Sequence, residues 1–534
     1  ERLVEIHSPL PHQAGRTDIR NMFHGTINLH TVPAYLFARN PQFTNFSRVF
    51  MATNSLTHVP GNLFAHNPNA TDFSWLFAFA GLSEIPPNLF YHNTAAMDFL
   101  GTFTQSSGIT SIPPNLFANN TAATNFDSTF TSTNITFIPP GLFDSNQAVL
   151  RFNSTFSDCL ALTTSPPADL FYYNTAVTSF TGTFQNTRFA AIPPGLFRRN
   201  TAVLNFNNTF SGNTALTTPP HADLFYHNTA VTSFTGTFNN TRFTTIPAGL
   251  FRNNEGVLNF NSTFSSNTAL QGIPAGLFRY NTAVTSFSST FSATTGMTNS
   301  PPGNLFYYNE EVLNFNSTFS NTRFHTVPAG LFSNNNKVTS FNSTFQSSHV
   351  RYLPANLFVT DGLNVTFSGV FRYCGQLTHI PACLFAGVPN ATNFGTAFWQ
   401  ARGIHTIPAG LFDNNPNATQ FGNAFGDIAG LTNVPSDLFR NQGNVSPGGF
   451  GAVFGWSGTG ATALRSRTVH LHFHENANAS WFADTSFRFI GSASPINQIT
   501  GTLFINIPGY NNSTAFGHPR VFSCPANCAV QNLP

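Results

Sequence analysis

Charge is the scarcest commodity in this chain of 534 residues. Charged side chains make up 8% of it, with 22 Lys plus Arg against 20 Asp plus Glu and a net charge of +2. Lys337 is the single lysine. Soluble domains ordinarily carry about a quarter charged residues, so salt bridges cannot organise this fold. No polybasic patch exists for nucleic acid or anionic lipid, and nucleic-acid binding is excluded as a theme. Cysteine is sparse as well, at five residues, and tryptophan numbers four. No run approaches the roughly 18 apolar residues of a membrane-spanning helix, so none is expected. The chain opens ERLVEIHSPL, without an initiator Met or an apolar leader core, which predicts a processed, secreted chain.

What is abundant is phenylalanine, at 62 residues, and its placement is periodic. The Phe that closes a T-F or similar pair falls at 23, 50, 77, 103, 130, 156, 184, 210, 238, 264, 291, 319, 345, 371, 398, 425 and 454, at intervals of 26 to 29 residues. A second marker keeps step: VPAYLF at 32, IPPNLF at 85 and 112, IPPGLF at 192, and IPAGLF at 246, 273 and 407. A fixed period of this size is the signature of a solenoid, in which each coil buries its apolar residues only against its neighbours. L-T-x-I-P reads as a short strand ended by proline, which cannot donate to a ladder. P-x-x-L-F-x-x-N reads as a turn or short 3₁₀ segment, and V-x-x-F-x-x-T-F as a return path with two inward Phe. About three Phe per coil would then stack into a spine, each contributing about 1.5–3 kcal/mol when fully buried. From Val177 onward the return path alternates V-T-S-F with V-L-N-F, so the unit of duplication there is a pair of coils.

The pattern F-x-x-T-F-S-x-x-x-x-L-T-x-I-P-x-x-L-F-x-x-N resembles the tandem repeats of BspA-like leucine-rich-repeat surface proteins, in the Phe-rich form of mycoplasma-type lipoproteins and microbial surface proteins. The resemblance covers about residues 20 to 455. It implies a secreted or surface-displayed, non-enzymatic solenoid used for adhesion or structure, and it brings no shared active site. The expected fold is a β-rich, leucine-rich-repeat-like, right-handed array of about 17 coils spanning 21–455. An N-terminal arm or cap (1–20) precedes it and a small β-domain (456–534) follows, suggested by strand-like TVHLHFH, SFRFIG and GTLFINIP. The family often places Cys after F-S-G. Here only Cys159 and Cys374 keep it, and Asn, Ser or Thr stand elsewhere, so a cysteine ladder is ruled out.

Candidate chemistry is thin. Cys159 and Cys374 are eight coils apart and cannot pair; Cys159 reads as a buried thiol. Cys374 and Cys383 could meet across one coil, and Cys524 and Cys528 are placed to form a C-terminal disulfide. Ten threonines precede marker Phe residues, from Thr102 to Thr344. They could form a flat ladder for ice or a regular polymer, but Val49, Leu76, Val370, Ala397 and Val453 share the register, which favours half-buried packing. Five sequon asparagines, Asn153, Asn207, Asn261, Asn316 and Asn342, all lie three residues before a marker and predict a row of N-glycans if the host supplies them. His470, His472 and His474 alternate with Val469, Leu471 and Phe473; shared metal ligation with Glu475 nearby is weighed against a solvated sheet face, and the sheet face is preferred. Asp169 and Asp223 recur in register at a turn, where Asp bonds local backbone. No nucleophile elbow, phosphate loop or carboxylate pair is found, so neither catalysis nor a cofactor or metal is expected. These observations point to an extracellular or cell-surface structural glycoprotein that assembles head to tail with copies of itself. The alternative is a monomeric adhesin that grips cell-surface or matrix glycans with one face of the array.

Overall fold

The structure, a computed structural model, describes residues 3–454, 469–473 and 503–506. Two compact units divide the chain, Glu1–Asn259 and Phe260–Pro534. Each is a stack of coils held by one parallel bridge per coil, at the residue preceding the Phe of V-x-x-F. In the first unit the bridges run Asp18↔Asn45, Asn45↔Asp72, Asp72↔Asp98 and onward to Ser233↔Asn259. In the second they include Ser286↔Asn314, Asn314↔Ser340 and Ser340↔Thr366.

This corrects the expected placement of the strand. The coil-to-coil ladder follows the return path, whereas among the described residues the L-T-x-I-P side bridges only at Glu5↔Thr31, Thr326↔Tyr352 and Thr406↔Asn433. Proline, which has no N–H, accounts for the difference. The expectation of a β-rich array is corrected too. The strands among the described residues are β1 (Val365–Thr366), β2 (Ala391–Asn393), β3 (Val469–His472) and β4 (Leu503–Asn506). β1 pairs with β2 and β3 with β4, both in parallel.

Backbone geometry explains why longer strands do not form. Within each return path two residues four apart take the left-handed conformation, such as Arg48 and Ala52 (both φ 58°) or Ser128 (φ 56°) and Ser132 (φ 57°). Such residues interrupt the extended backbone and fold it into overlapping turns, closed by Val49 N–H to Phe46 O and Met51 N–H to Arg48 O. For a residue with a Cβ this conformation costs about 1–2 kcal/mol. The slot therefore takes Ser and Asn repeatedly, and Gly182 and Gly236 in the V-T-S-F coils. The cost is offset between coils. N–H groups of Phe46, Arg48, Phe50 and Ala52 all donate to the next coil, to carbonyls of Asp72, Ser74, Leu76 and Ala78 at 2.8–2.9 Å. The second unit repeats this from Phe341, Ser343, Phe345 and Ser347 to Thr366, Ser368, Val370 and Arg372.

Along this path Phe46, Val49 and Phe50 are buried while Arg48 is exposed, and three columns of Phe stack in the interior. Marker rings lie face to face, 5.5 Å apart for Phe23–Phe50 and 5.7 Å for Phe156–Phe184. The V-x-x-F column stacks likewise (Phe180–Phe206, 5.8 Å), as does the L-F column (Phe171–Phe197, 6.1 Å). These two columns meet at a tilt, with Phe171 4.7 Å from Phe180. Offset and tilted rings are the arrangements that the aromatic quadrupole favours.

Both ends of the described array carry covering segments. Residues near the N-terminus lie against the coil that follows: Leu10 N–H donates to Leu36 O, and Asn40 Nδ2 donates to Pro11 O at 3.1 Å. At the other end Phe473, beyond the expected boundary at 455, stacks on Phe439 at 5.9 Å and meets Phe450 edge-on at 5.3 Å. Leu471 and Phe473 are buried, so Phe473 adds a layer to the Phe spine.

Candidate functional site

Most residues singled out by the sequence prove to be structural. The threonine row is fully buried, beyond the half-buried packing expected. Thr183 donates its hydroxyl toward Phe152 O at 2.9 Å and Phe180 O at 2.8 Å, and Thr129 does the same toward Phe99 O and Phe126 O. A hydroxyl spent on interior carbonyls presents nothing to ice or to a polymer. Cys159 and Cys374 are buried free thiols, and Cys383 is a free, exposed one, so the Cys374–Cys383 pairing does not form. Burial pushes both buried thiols up to about 12. Each donates to a carbonyl, Cys159 Sγ to Phe130 O at 3.1 Å and Cys374 Sγ to Phe345 O at 2.9 Å. Ser106 in the same column donates to Phe77 O. Most coils fill this column with a small donor, Ser, Thr, Asn or Cys, while Ala80, Ala401 and Ile428 stand there without one.

The sequon asparagines form a half-buried surface column. Asn153 Oδ1 accepts from Ser179 Oγ at 2.7 Å and from Thr181 N–H at 3.1 Å, and Asn207 does the same with Ser233 and Thr235. Asn261 Oδ1 accepts from Ser286 and Ser288, Asn316 from Ser340 and Asn342, and Asn342 from Ser368. Nδ2 is the atom a glycan would take. The sequon threonines, however, are buried, so a modifying enzyme would meet these sites before folding.

Asp223 forms an ion pair with Arg252 at 2.6 Å, while Asp169 sits near Asp144, whose carboxyl is held above its usual range by burial first and by Asp169 second. His470 and His472 lie on β3, whereas His474, Glu475, Cys524, Cys528 and the SFRFIG segment fall outside the described residues. Among the described residues no three His, Cys, Asp or Glu side chains gather as a metal site would require, and no helix is long and apolar enough to cross a membrane.

Two features escaped the sequence reading. The Asn of L-F-x-x-N is an interior ladder: Asn120 Nδ2 donates to Phe90 O at 3.0 Å and Asn93 O at 2.8 Å, and Asn200 Nδ2 to Phe171 O at 3.0 Å and Asn174 O at 2.9 Å. Its recurrence in every coil from Asn40 to Asn335 was the available signal, since a turn-forming Asn is readily exchanged for Asp, Ser or Gly; Asp361, Val388 and Gln442 take the slot in later coils.

The two x positions of the same motif carry the second feature. They point outward and present aromatic and basic side chains coil after coil. In the first unit these are Tyr172 and Tyr173, Arg198 and Arg199, Tyr226 and His227, then Arg252 and Asn253. In the second they are Arg279 and Tyr280, then Tyr307 and Tyr308. Tyr173 is 48% exposed and Tyr280 the same. Arg198 and Arg199 each hold a guanidinium 4.8 Å from the Tyr172 ring centre, Arg252 lies 4.6 Å from Tyr226, and Arg279 5.3 Å from Tyr308. An open groove of about 570 Å³ runs along this ridge, lined by Tyr172, Thr175, Arg198, Arg199, Thr201 and His227.

No family model matches this chain, and no curated protein matches it. Among solved structures it is similar to a chain of the Toll–Spatzle complex of Drosophila, at 15% identity over 90% of this chain and 55% of that one, with a TM-score of 0.40. The chain thus spans about half the length of that neighbour. It is also similar to the functional domain of InlJ from Listeria monocytogenes, which includes a cysteine ladder, at 16% identity over 63% and 67% of the two chains and a TM-score of 0.38. The leucine-rich repeat domain of APL1B gives 11% identity, 65% and 78% coverage, and a TM-score of 0.37.

Proposed function

We propose that this chain is an extracellular, non-enzymatic binding protein that engages a surface or matrix ligand through the tyrosine–arginine ridge. The observation that carries the reading is the contrast between inward and outward positions of one motif. Within L-F-x-x-N the inward residues are fixed for packing and backbone donation, while the two outward positions are filled by exposed Tyr, Arg and His. Tyr and Arg are the residues that dominate binding surfaces, because each joins a large contact area to directional donors. Stability does not require them there, since other coils carry Ala118 and Asn119 or Ser333 and Asn334 in the same slots. Glycans on the sequon column would lie on a different segment of each coil and would supply hydration that the sparse charge does not.

The test is binding of the full chain to an arrayed panel of matrix and cell-surface glycans and proteins. The variant Tyr173→Ala with Tyr226→Ala and Arg198→Ala should lose the bound partners, and Leu204→Ser, exposed on the return path, should keep them. Equal binding by both variants overturns the ridge.

One observation favours a second reading, addition of copies edge to edge. Carbonyls of Arg20, Met22 and His24 accept no backbone hydrogen bond among the described residues. Such an acceptor edge suits a donor strand from another copy. Negative-stain images over a range of concentrations decide it, because filaments support assembly and single particles throughout exclude it.

A further inference from the structure

The ridge is not chemically uniform, and the duplication supplies an internal comparison. Residues 174–210 and 228–264 differ at eight positions, three of which, Arg199/Asn253, Thr201/Glu255 and Ala202/Gly256, fall together just after L-F. The flanking core positions are unchanged. The groove at the first copy is lined by Arg198, Arg199 and His227 with no acid; at the second copy the corresponding groove is lined by Thr229, Asn253 and Glu255. A third, in the second unit, is lined by Thr282, Ala283, Tyr308, Glu310 and Glu311. One scaffold thus carries three grooves of different charge.

At the first groove the cations make no ion pair among the described residues, Asp169, in the register position of Asp223, lying beyond ion-pair distance of them. Arg252, the counterpart of Arg198, is neutralised by Asp223 at 2.6 Å. Neither Arg198 nor Arg199 makes an ion pair among the described residues, and both guanidiniums crowd one ring, that of Tyr172, at 4.8 Å. Two like charges held at one site repel, and a cation–π contact at an exposed ring offsets only about 0.5–1 kcal/mol each. An oxyanion between them would relieve the repulsion and accept paired N–H donors from the planar guanidinium forks. Hydroxyls of Thr175 and Thr201 and the imidazole of His227 line the same groove and can complete the shell.

We propose that Tyr172, Arg198, Arg199 and His227 form a subsite for the sulfate or carboxylate group of an anionic saccharide, whose ring stacks on the exposed tyrosines. This rests on the ridge being the binding face, and it assigns the charge of what binds there. Calorimetric titration of the full chain with a sulfated hexasaccharide free of uronic acid, its uncharged desulfated counterpart and inorganic sulfate tests it. The sulfated saccharide should bind one per chain and weaken with added salt, and inorganic sulfate should bind at least tenfold more weakly. Arg198→Ala with Arg199→Ala should weaken the saccharide at least tenfold, whereas Arg188→Ala, an exposed arginine that donates to Thr214 off the ridge, should change it less than twofold. Asn253→Arg with Glu255→Thr should raise the stoichiometry toward two. Circular dichroism of each variant confirms that the array is intact, since all these side chains are on the surface. Wild-type affinity in the Arg198→Ala, Arg199→Ala variant overturns the subsite, as does failure of the sulfated saccharide to bind the wild-type chain. Desulfated saccharide binding as tightly as sulfated, and lost on Tyr173→Ala, overturns the anion assignment while leaving the ridge as the binding face. Inorganic sulfate binding as tightly as the saccharide overturns the saccharide and leaves a free-anion site.

Discussion

Asn200 offers the sharpest test of how the interior is held. Its side chain is fully buried, and Nδ2 donates to Phe171 O at 3.0 Å and to Asn174 O at 2.9 Å. Alanine removes both donors. At a net 0.5–1.5 kcal/mol per hydrogen bond, Asn200→Ala should cost about 1–3 kcal/mol. Aspartate keeps the shape but reverses the polarity, turning a donor into an acceptor that faces two carbonyl oxygens. A buried, unpartnered carboxylate costs about 3–5 kcal/mol, so Asn200→Asp should be the worse of the two at pH 7. The introduced carboxyl would escape by taking up a proton, which raises its pKa in the folded chain above the ordinary value near 3.9. Raised in the folded state, it binds more protons there than in the unfolded chain, so the lost stability returns as pH falls through the folded pKa. Urea unfolding followed by circular dichroism at pH 7 and pH 5, with hydrogen exchange at the Phe171 and Asn200 coils, measures both effects. Asn200→Ala within 0.3 kcal/mol of the wild type, a bound set well below the net worth of one hydrogen bond, would refute the donor ladder. Equal stability of the alanine and aspartate variants at pH 7 would refute its polarity.

Thr183→Val should cost no more than about 1.5 kcal/mol by thermal unfolding, because the Phe180 carbonyl also accepts the Thr183 N–H at 3.2 Å; a loss above 3 kcal/mol would show the hydroxyl to be indispensable. With thiols raised to about 12, Cys159 and Cys374 should stay unmodified by iodoacetamide at pH 8 in the folded chain while Cys383 reacts, as read by peptide mass mapping. Burial, opposed in part by the Asn153 backbone N–H and by Arg151, holds the Asp127 carboxyl above its usual range. Its contribution is thus present at low pH and lost as pH rises through the folded pKa, so Asp127→Asn should remove that part of the pH dependence of stability. Enzymatic N-glycosylation of purified folded protein should fail at Asn207, whose Thr209 hydroxyl is held by Phe180 O and Phe206 O, and succeed on the urea-unfolded chain.

Sequence by itself determined the period, the coil and the spine. Phenylalanine at fixed intervals in a chain with almost no charge has to be buried against its own repeats, and the three columns follow from that need. The scarcity of charge likewise left no nucleic-acid surface to find. What the sequence left open was direction. V-x-x-F-x-x-T-F reads only as a return path with two inward Phe, yet it carries the coil-to-coil ladder, on a path set by left-handed residues such as Arg48 and Ser128, whose side chains do not advertise that conformation. Nor does a threonine reveal whether its hydroxyl faces water or a carbonyl in the coil behind; a neighbour 30 residues away decides, and places Thr129 on Phe99 O. The ridge shows the same division. Tyr172, Arg198 and His227 fill x positions of three successive L-F-x-x-N motifs, 26 to 29 residues apart, and the motif alone does not say which side chains meet. Only the stacking of coils brings them to one groove, because a solenoid turns sequence period into spatial adjacency.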